Sequence, residues 1–202
     1  MSEPFPHDFV WDESDLPAGS GWSVRGVIES LEKDVVPAGF REFFDRDPER
    51  ASPADPALVL APADGLVELR RPPGRTPEFL VHLRLTDVHV QRVPLAGRVV
   101  SVERAGRGIF NPDDPHFLDG VQAVTTIESA LGVYRVRQIT ALLTKRLETY
   151  LEPGRRVAAG ERLGRIRLGS AVILELPGEW EPLVADRQKV FGGLTPIARV
   201  RG

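Results

Sequence analysis

Four short segments of this 202-residue chain carry residue types that could do chemistry. They hold a serine that follows a glycine (Gly169-Ser170), a histidine (His89) and an aspartate (Asp64), which are the residue types of a nucleophile, a general base and a group that orients the base. Taken singly, each also has a purely structural interpretation as a bend, a strand end or a turn cap. The segments read FFDRDPER from residue 43, APADG from 61, TDVHVQRVPLAGRV from 86 and GERLGRIRLGSAVILELP from 160.

The composition excludes or disfavours several other kinds of site. There is no cysteine, so disulfides, thiolate metal sites and cysteine nucleophiles are excluded. The remaining histidines (His7, His82 and His116) have no metal-ligand spacing, and we expect no metal. The formal net charge of −3 disfavours nucleic acid as a partner.

Nothing in the sequence predicts a membrane-spanning or secreted chain. No apolar run reaches the roughly 18 residues that a spanning helix needs, and the N-terminus MSEPFPHDFVWDESD is acidic and unlike a signal peptide. We therefore expect a cytoplasmic protein, and a peripheral contact with the cytoplasmic membrane face stays open.

The elements that must position these residues are mostly strands. Short β-branched segments recur at residues 57–61, 79–85, 98–103 and 133–138, and the C-terminal third is again β. Before them, residues 1–21 are expected to form a mobile arm, and Val24, Val27, Ile28 and Leu31 predict an amphipathic helix that ends before Pro37. We predict one α+β domain over residues 22–202, with a mainly antiparallel β core, like a sandwich or barrel, and a few peripheral helices.

Two further patterns refine this prediction. Ile139, Leu142, Leu143, Leu147 and Tyr150 share one helical face, and Pro153-Gly154 would close that helix. In the C-terminal third, the spacing of Val157 and Gly160 matches that of Val190 and Gly193, which suggests two similar hairpins.

In this order and at these separations, the four segments resemble the phosphatidylserine decarboxylase family, specifically its short, archaeal-like branch. The resemblance covers about residues 40–200, and its most specific parts are Asp87-Val88-His89 and the context of Gly169-Ser170. Three departures concern the family's Asn-Glu-Arg segment (here DGVQAVTTIES from 119), the start of the helix after Gln-Ile (Thr140-Ala141) and a second histidine of longer members (here Arg92, as in the short branch).

The resemblance implies a proenzyme that cuts itself between Gly169 and Ser170. The products would be a β chain of residues 1–169 and an α chain of residues 170–202, with Ser170 converted to a pyruvoyl group that acts as the cofactor. The implied reaction is decarboxylation of phosphatidylserine to phosphatidylethanolamine. A pyridoxal phosphate enzyme would instead need a Schiff-base lysine, and only Lys33, Lys145 and Lys189 are present, on two predicted helices and in a polar loop.

Self-cleavage assigns a role to each candidate residue. The hydroxyl of Ser170 attacks the carbonyl of Gly169, the residue type that a distorted peptide tolerates best. His89 is the candidate base because imidazole titrates near neutral pH, and Asp64 is the candidate group that holds its tautomer. Arg92 either binds the substrate carboxylate or phosphate, or supports its strand.

Three alternatives stay open at this point. The same chemistry could act on a soluble or unusual amino acid, the chain could be a paralogue that never cleaves, or it could be a non-catalytic β-sandwich carrier. The last is disfavoured because the hairpin tip reads Gln188-Lys189-Val190-Phe191 rather than Met-Lys-Met. A homodimer also stays open.

Overall fold

The computed structural model describes residues 16–33, 35–108, 110, 114, 116–140, 147–166 and 170–201. The predicted amphipathic helix is confirmed as α1 (Val24–Glu32), and it ends well before Pro37. A second short helix, α2 (Phe40–Phe44), follows it. Both helices bury their apolar side chains in one cluster that contains Val27, Phe40, Phe44 and Leu85. Of the predicted N-terminal arm, residues 1–15 lie outside the described residues.

The described residues form fourteen strands, and all of their pairings are antiparallel. The α+β class with an antiparallel β core is therefore confirmed. The strands are β1 (Leu58–Leu60), β2 (Gly65–Arg70), β3 (Glu78–Leu83), β4 (Val90–Arg92), β5 (Gly97–Ala105), β6 (Gln122–Ser129), β7 (Gly132–Thr140), β8 (Leu147–Thr149), β9 (Arg156–Val157), β10 (Arg162–Ile166), β11 (Ser170–Glu175), β12 (Trp180–Pro182), β13 (Lys189–Val190) and β14 (Pro196–Val200).

An eight-stranded sheet dominates the fold, in the order β13-β2-β3-β11-β7-β6-β5-β9. Successive side chains of a strand point to opposite faces, and both faces of the sheet centre are covered. Phe79 and Val81 of β3 lie in the main core, whereas Leu80 packs with Ile173 and Phe117 in a second cluster. Strand β11 is thus an interior strand with apolar packing on both faces.

Two three-stranded sheets, β4-β10-β8 and β1-β14-β12, complete the β structure. The turns that precede β10 and β14 have the same geometry. Gly160 donates its amide to the carbonyl of Val93, and Gly193 donates its amide to that of Ala61, both at 2.8 Å. Both glycines have positive φ, of 80° and 72°, and a Cβ on Gly193 would lie 3.3 Å from the Cα of Gly160. The two turns are therefore similar, but the prediction of two hairpins is wrong. Strand β9 pairs with β5 and β10 with β4 and β8, whereas β13 pairs with β2 and β14 with β1 and β12, so the strands on either side of each turn belong to different sheets.

The helix predicted from Ile139 to Tyr150 is wrong at both of its ends. Ile139 lies inside β7, opposite Ala171 of β11, Leu147 begins β8, opposite Ile166 of β10, and Tyr150 is 38% exposed. Residues 141–146 lie outside the described residues. Pairing with neighbouring strands satisfies the backbone and buries Ile139, and these tertiary interactions override the helical spacing of the apolar residues.

Candidate active site

The proposed cleavage point lies between two strands whose backbone positions are known. Ile166, the last residue of β10, donates its amide to the carbonyl of His89 at 3.1 Å. Ser170, the first residue of β11, pairs with Leu83 on one side and Thr140 on the other. Gly169 itself lies outside the described residues, as do residues 167 and 168. Four residue steps span at most about 14 Å, so the Cα atom of Ser170 lies within that distance of the Cα atom of Ile166, whose amide is bonded to the His89 carbonyl.

His89 is buried, with 1% of its surface exposed. Its Nδ1 lies 2.8 Å from the backbone carbonyl oxygen of Asp87. A carbonyl oxygen only accepts hydrogen bonds, so Nδ1 carries the proton, and in the neutral ring Nε2 presents a lone pair. Nε2 is also buried and has no hydrogen-bond partner among the described residues. The imidazole therefore has the tautomer that a base acting through Nε2 requires.

The surroundings of His89 keep its ring neutral. Burial is the largest influence and lowers its pKa to about 4, and the charge of Arg46 acts in the same direction. The Asp87 carbonyl and the carboxylates of Asp87 and Asp64 oppose this shift and do not overcome it. At neutral pH the ring can therefore accept a proton without first losing one.

Asp87 and Lys189 are site residues that sequence reasoning missed. The Asp87 carboxylate is buried: Oδ1 pairs with Nζ of Lys189, and Oδ2 accepts the Arg84 amide at 2.8 Å. Asp87 could have been suspected because it stands two residues before the histidine. Lys189 offered no such signal, because only the pairing of β13 with β2 brings it to this loop.

No hydrogen bond joins the side chains of Asp64 and His89. Its two carboxylate oxygens accept hydrogen bonds from Arg50 at 2.6 and 2.9 Å, and one of them also accepts the Gly192 amide at 2.8 Å. Arg50 also donates to the Gly192 carbonyl at 2.5 Å, and both partners of the ion pair have side chains that are only 5% exposed. The carboxylate still acts on the imidazole at longer range, since it favours the protonated form of His89.

Arg92 is held by backbone and carboxylate groups on the side of β4 that faces residues 47–49. It donates to Asp47 at 2.7 Å and to the Pro48 carbonyl at 3.0 Å, and Arg162 donates to the same aspartate at 2.5 Å. Arg92 and Arg162 line a pocket of about 600 Å³ together with Tyr150. None of the hydrogen bonds described for Arg92 leads to His89.

Similarity to known proteins extends over most of the chain. A family model described as phosphatidylserine decarboxylase matches residues 76–198. Proteins named phosphatidylserine decarboxylase proenzyme are similar in sequence. That of Solibacter usitatus is 34% identical over 82% of this chain and 81% of its own length. That of Mycolicibacterium vanbaalenii is 35% identical over 82% and 76%, and that of Gluconobacter oxydans is 37% identical over 78% and 76%.

Proposed function

Since this chain belongs to the phosphatidylserine decarboxylase family, we propose that it removes carbon dioxide from phosphatidylserine after cutting its own backbone between Gly169 and Ser170. The observation that carries the proposal is the buried, neutral imidazole of His89. The backbone carbonyl of the same residue accepts a hydrogen bond from Ile166, where the segment leading to Ser170 begins. The hydrogen bond from Ile166 to His89 connects a base with a free lone pair to the segment that carries the proposed nucleophile and the glycine carbonyl. The finer placement in the short, archaeal-like branch stays a prediction.

Cleavage needs one proton to move from the Ser170 hydroxyl to the leaving nitrogen and a second proton to leave the α-carbon of residue 170, and His89 can serve both steps. Nε2 takes the proton of the Ser170 hydroxyl while the oxygen attacks the Gly169 carbonyl carbon; the C–N bond breaks, the nitrogen takes the proton, and an ester replaces the amide. A base then removes the α-proton of residue 170, and the Gly169 carboxylate leaves. The double bond that remains beside the amine is hydrolysed, with one water consumed and one ammonia released. The product is a pyruvoyl group at residue 170 and a free carboxylate at residue 169.

The residues around the start of β11 fit such a group. Ser170 is the first of six residues that pair with β3 on one side and β7 on the other, so the new end of the chain would stay where the cut was made. The Nε2 atom of His89 is buried, has no hydrogen-bond partner among the described residues and can hold a proton. When present, the pyruvoyl carbonyl supplies the electron sink that no ordinary side chain offers to an α-amino acid losing its carboxylate. The residues of this chain then have to bind the headgroup, exclude water and return a proton to the α-carbon, and we assign the last task to His89.

The other candidate residues support this assembly. We propose that Asp64 acts through its pair with Arg50 and its bond to Gly192, which together fasten the turn between β13 and β14 against the residues before β2. Its charge also favours the imidazolium that forms during each proton transfer. For Arg92 we favour the supporting role, because Asp47 and Pro48 engage its guanidinium.

The proposed substrate is a phospholipid, and the proposed working place is the surface of the cytoplasmic membrane. No helix in the part of the chain that the structure describes is long and apolar enough to span a bilayer. A peripheral enzyme can act at an interface when the lipid headgroup reaches inward from the surface. The two chains of one precursor are the proposed partners in the mature enzyme.

The intact mass of the purified protein tests self-cleavage. We expect a fragment made of the 33 residues 170–202, with an N-terminus that resists Edman sequencing, and a complementary fragment of residues 1–169. Ser170→Ala should yield one uncut chain, whereas the control Ser101→Ala, in β5, should be cut like the wild type. A wild-type chain that keeps its full mass after long incubation contradicts the proposal and favours the uncleaved paralogue.

A further inference from the structure

Helix α2 covers the imidazole of His89 with an aromatic ring. The ring centroids of Phe44 and His89 lie 4.2 Å apart, and their planes are inclined by 36°. Both side chains are buried. The contact joins a residue from the N-terminal region, at the end of α2, to the candidate base, and nothing in the spacing of the sequence predicts it.

Contacts with neighbouring aromatic rings hold Phe44 in place. It packs against Phe40 with ring centroids 6.0 Å apart, and Phe40 meets Trp22 edge to face at 5.5 Å. Arg46, two residues after Phe44, donates to the carbonyls of Phe43 and Thr86. Two contacts therefore connect the end of α2 to the loop that carries His89: the ring of Phe44 packs on His89, and Arg46 bonds to Thr86.

We propose that Phe44 is a positioning residue for His89, whose ring, together with the Asp87 carbonyl, fixes the plane of the imidazole so that Nε2 keeps one direction. The inference rests on the proposed role of His89 as the base. A single hydrogen bond at Nδ1 still lets an imidazole swing about the N–H···O axis. A flat aromatic face in van der Waals contact removes that freedom, and it keeps water from the lone pair on the covered side.

Alignment matters because proton transfer from Ser170 requires the lone pair to point at the hydroxyl within hydrogen-bond reach. The same ring also contributes to the burial that lowers the pKa of His89. The charged groups that act on the imidazole are Asp87 in its own loop, Arg46 after α2 and Asp64 before β2. Replacing Phe44 leaves all three in place, so its effects on the ring can be separated from theirs.

The first experiment needs no enzymatic activity. In the uncut Ser170→Ala protein, ¹⁵N NMR of the histidine side chains reports the tautomer and the pKa of His89. We expect Phe44→Ala to raise that pKa by roughly one unit or more, because water gains access to the ring, and to mix the two tautomers. Glu42→Ala is the control on the same helix, since the Glu42 side chain is exposed and is not among the groups that act on the imidazole, and it should leave the His89 signals unchanged. Identical His89 spectra with and without the Phe44→Ala substitution overturn the inference.

The second experiment measures self-cleavage with Ser170 intact. Phe44→Ala should slow the appearance of the 170–202 fragment by roughly ten- to a hundred-fold through misalignment, and Glu42→Ala should not. If Phe44→Ala fails to fold, Phe44→Leu carries the same test, because leucine keeps an apolar side chain there and lacks the flat face. If His89→Ala blocks cleavage while Phe44→Ala and Phe44→Leu are cut at the wild-type rate, the positioning role is wrong. If the NMR changes occur and His89→Ala is still cut normally, the failure is that of His89 as the base.

Discussion

Lys189 and Asp87 form an ion pair that joins the two parts of the chain on either side of the proposed cut. Nζ of Lys189 contacts Oδ1 of Asp87, and the backbone carbonyl of Asp87 accepts the hydrogen bond from Nδ1 of His89. The carboxylate is 5% exposed, so the pair is partly shielded from solvent. A residue of the 170–202 segment thus supports the loop that holds the buried base.

The first prediction is that the two chains stay together after cleavage. Strand β11 keeps six residues paired on each side, and β13 and β14 pair with β2 and β1 of the other chain. The cut would break one peptide bond and none of these pairings. The fragments should therefore co-elute in native gel filtration and separate only in denaturant. Elution of a free 33-residue peptide under native conditions would contradict this assignment of the strands.

The second prediction concerns His89 as the base. His89→Ala should slow maturation by about 10³-fold or more, since removing the base of a nucleophile–base pair removes most of its rate advantage. Proenzyme should accumulate and be visible by mass spectrometry. His116→Ala is the control, because this imidazole is exposed and we assign it no role. Equal maturation rates for His89→Ala and wild type would contradict the assignment of His89 as the base, while the family assignment would stand.

The third prediction is a pH dependence of stability. The pKa of His89 is about 4 in the folded chain and near 6.5 when it is unfolded. Between these values the unfolded chain binds more protons, so the free energy of unfolding should fall as the pH drops from 6.5 to 4 and be fully restored above 6.5. His82, whose pKa burial also lowers, adds to the slope. Urea titrations of Ser170→Ala at several pH values measure it, and His89→Gln in that background should flatten it in part; an unchanged slope would show that His89 is not neutral when folded.

The fourth prediction separates the two possible actions of Asp64. Nδ1 of His89 is already bound by the Asp87 carbonyl, so Asp64→Asn should leave the tautomer unchanged in ¹⁵N spectra. It should slow maturation less than His89→Ala does, and lower the free energy of unfolding by about 3 kcal/mol, because Arg50 keeps a buried charge without its partner. Asp55→Asn is the matched control. Asp55 follows a Pro-Ala pair, as Asp64 does, but its ion pair with Arg199 is exposed. A tautomer change in Asp64→Asn would restore the direct orienting role.

The fifth prediction concerns the substrate. The mature protein should release carbon dioxide from phosphatidylserine in vesicles or detergent, and borohydride should attach that substrate to the 170–202 chain. Free serine and O-phosphoserine should react far more slowly, since they lack the apolar part whose binding energy would position the headgroup. Ser170→Ala controls for background. Equal turnover of a soluble amino acid would favour the alternative substrate and leave the pyruvoyl chemistry intact.

The sequence by itself determined the kind of fold and the family. Alternating β-branched segments between glycine and proline turns predict antiparallel strands because the side chains of a strand alternate between its faces. The order and spacing of Asp64, His89 and Gly169-Ser170 carry the family resemblance. These signals are local, so they can be read along the chain.

Only the tertiary structure decided the partners of each group. The apolar spacing between Ile139 and Tyr150 fits a helix, yet Ile139 lies in β7 because β11 offers its backbone a partner and its side chain a core. Asp64 was expected to hold the imidazole, and Arg50 and Gly192 hold Asp64 instead. The ring of Phe44 and the carbonyl of Asp87 contact His89, and the ammonium of Lys189 contacts the carboxylate of Asp87. These residues come from positions up to 145 residues apart in sequence. Such contacts depend on how distant strands and helices pack together, and no local pattern of residue types encodes that packing.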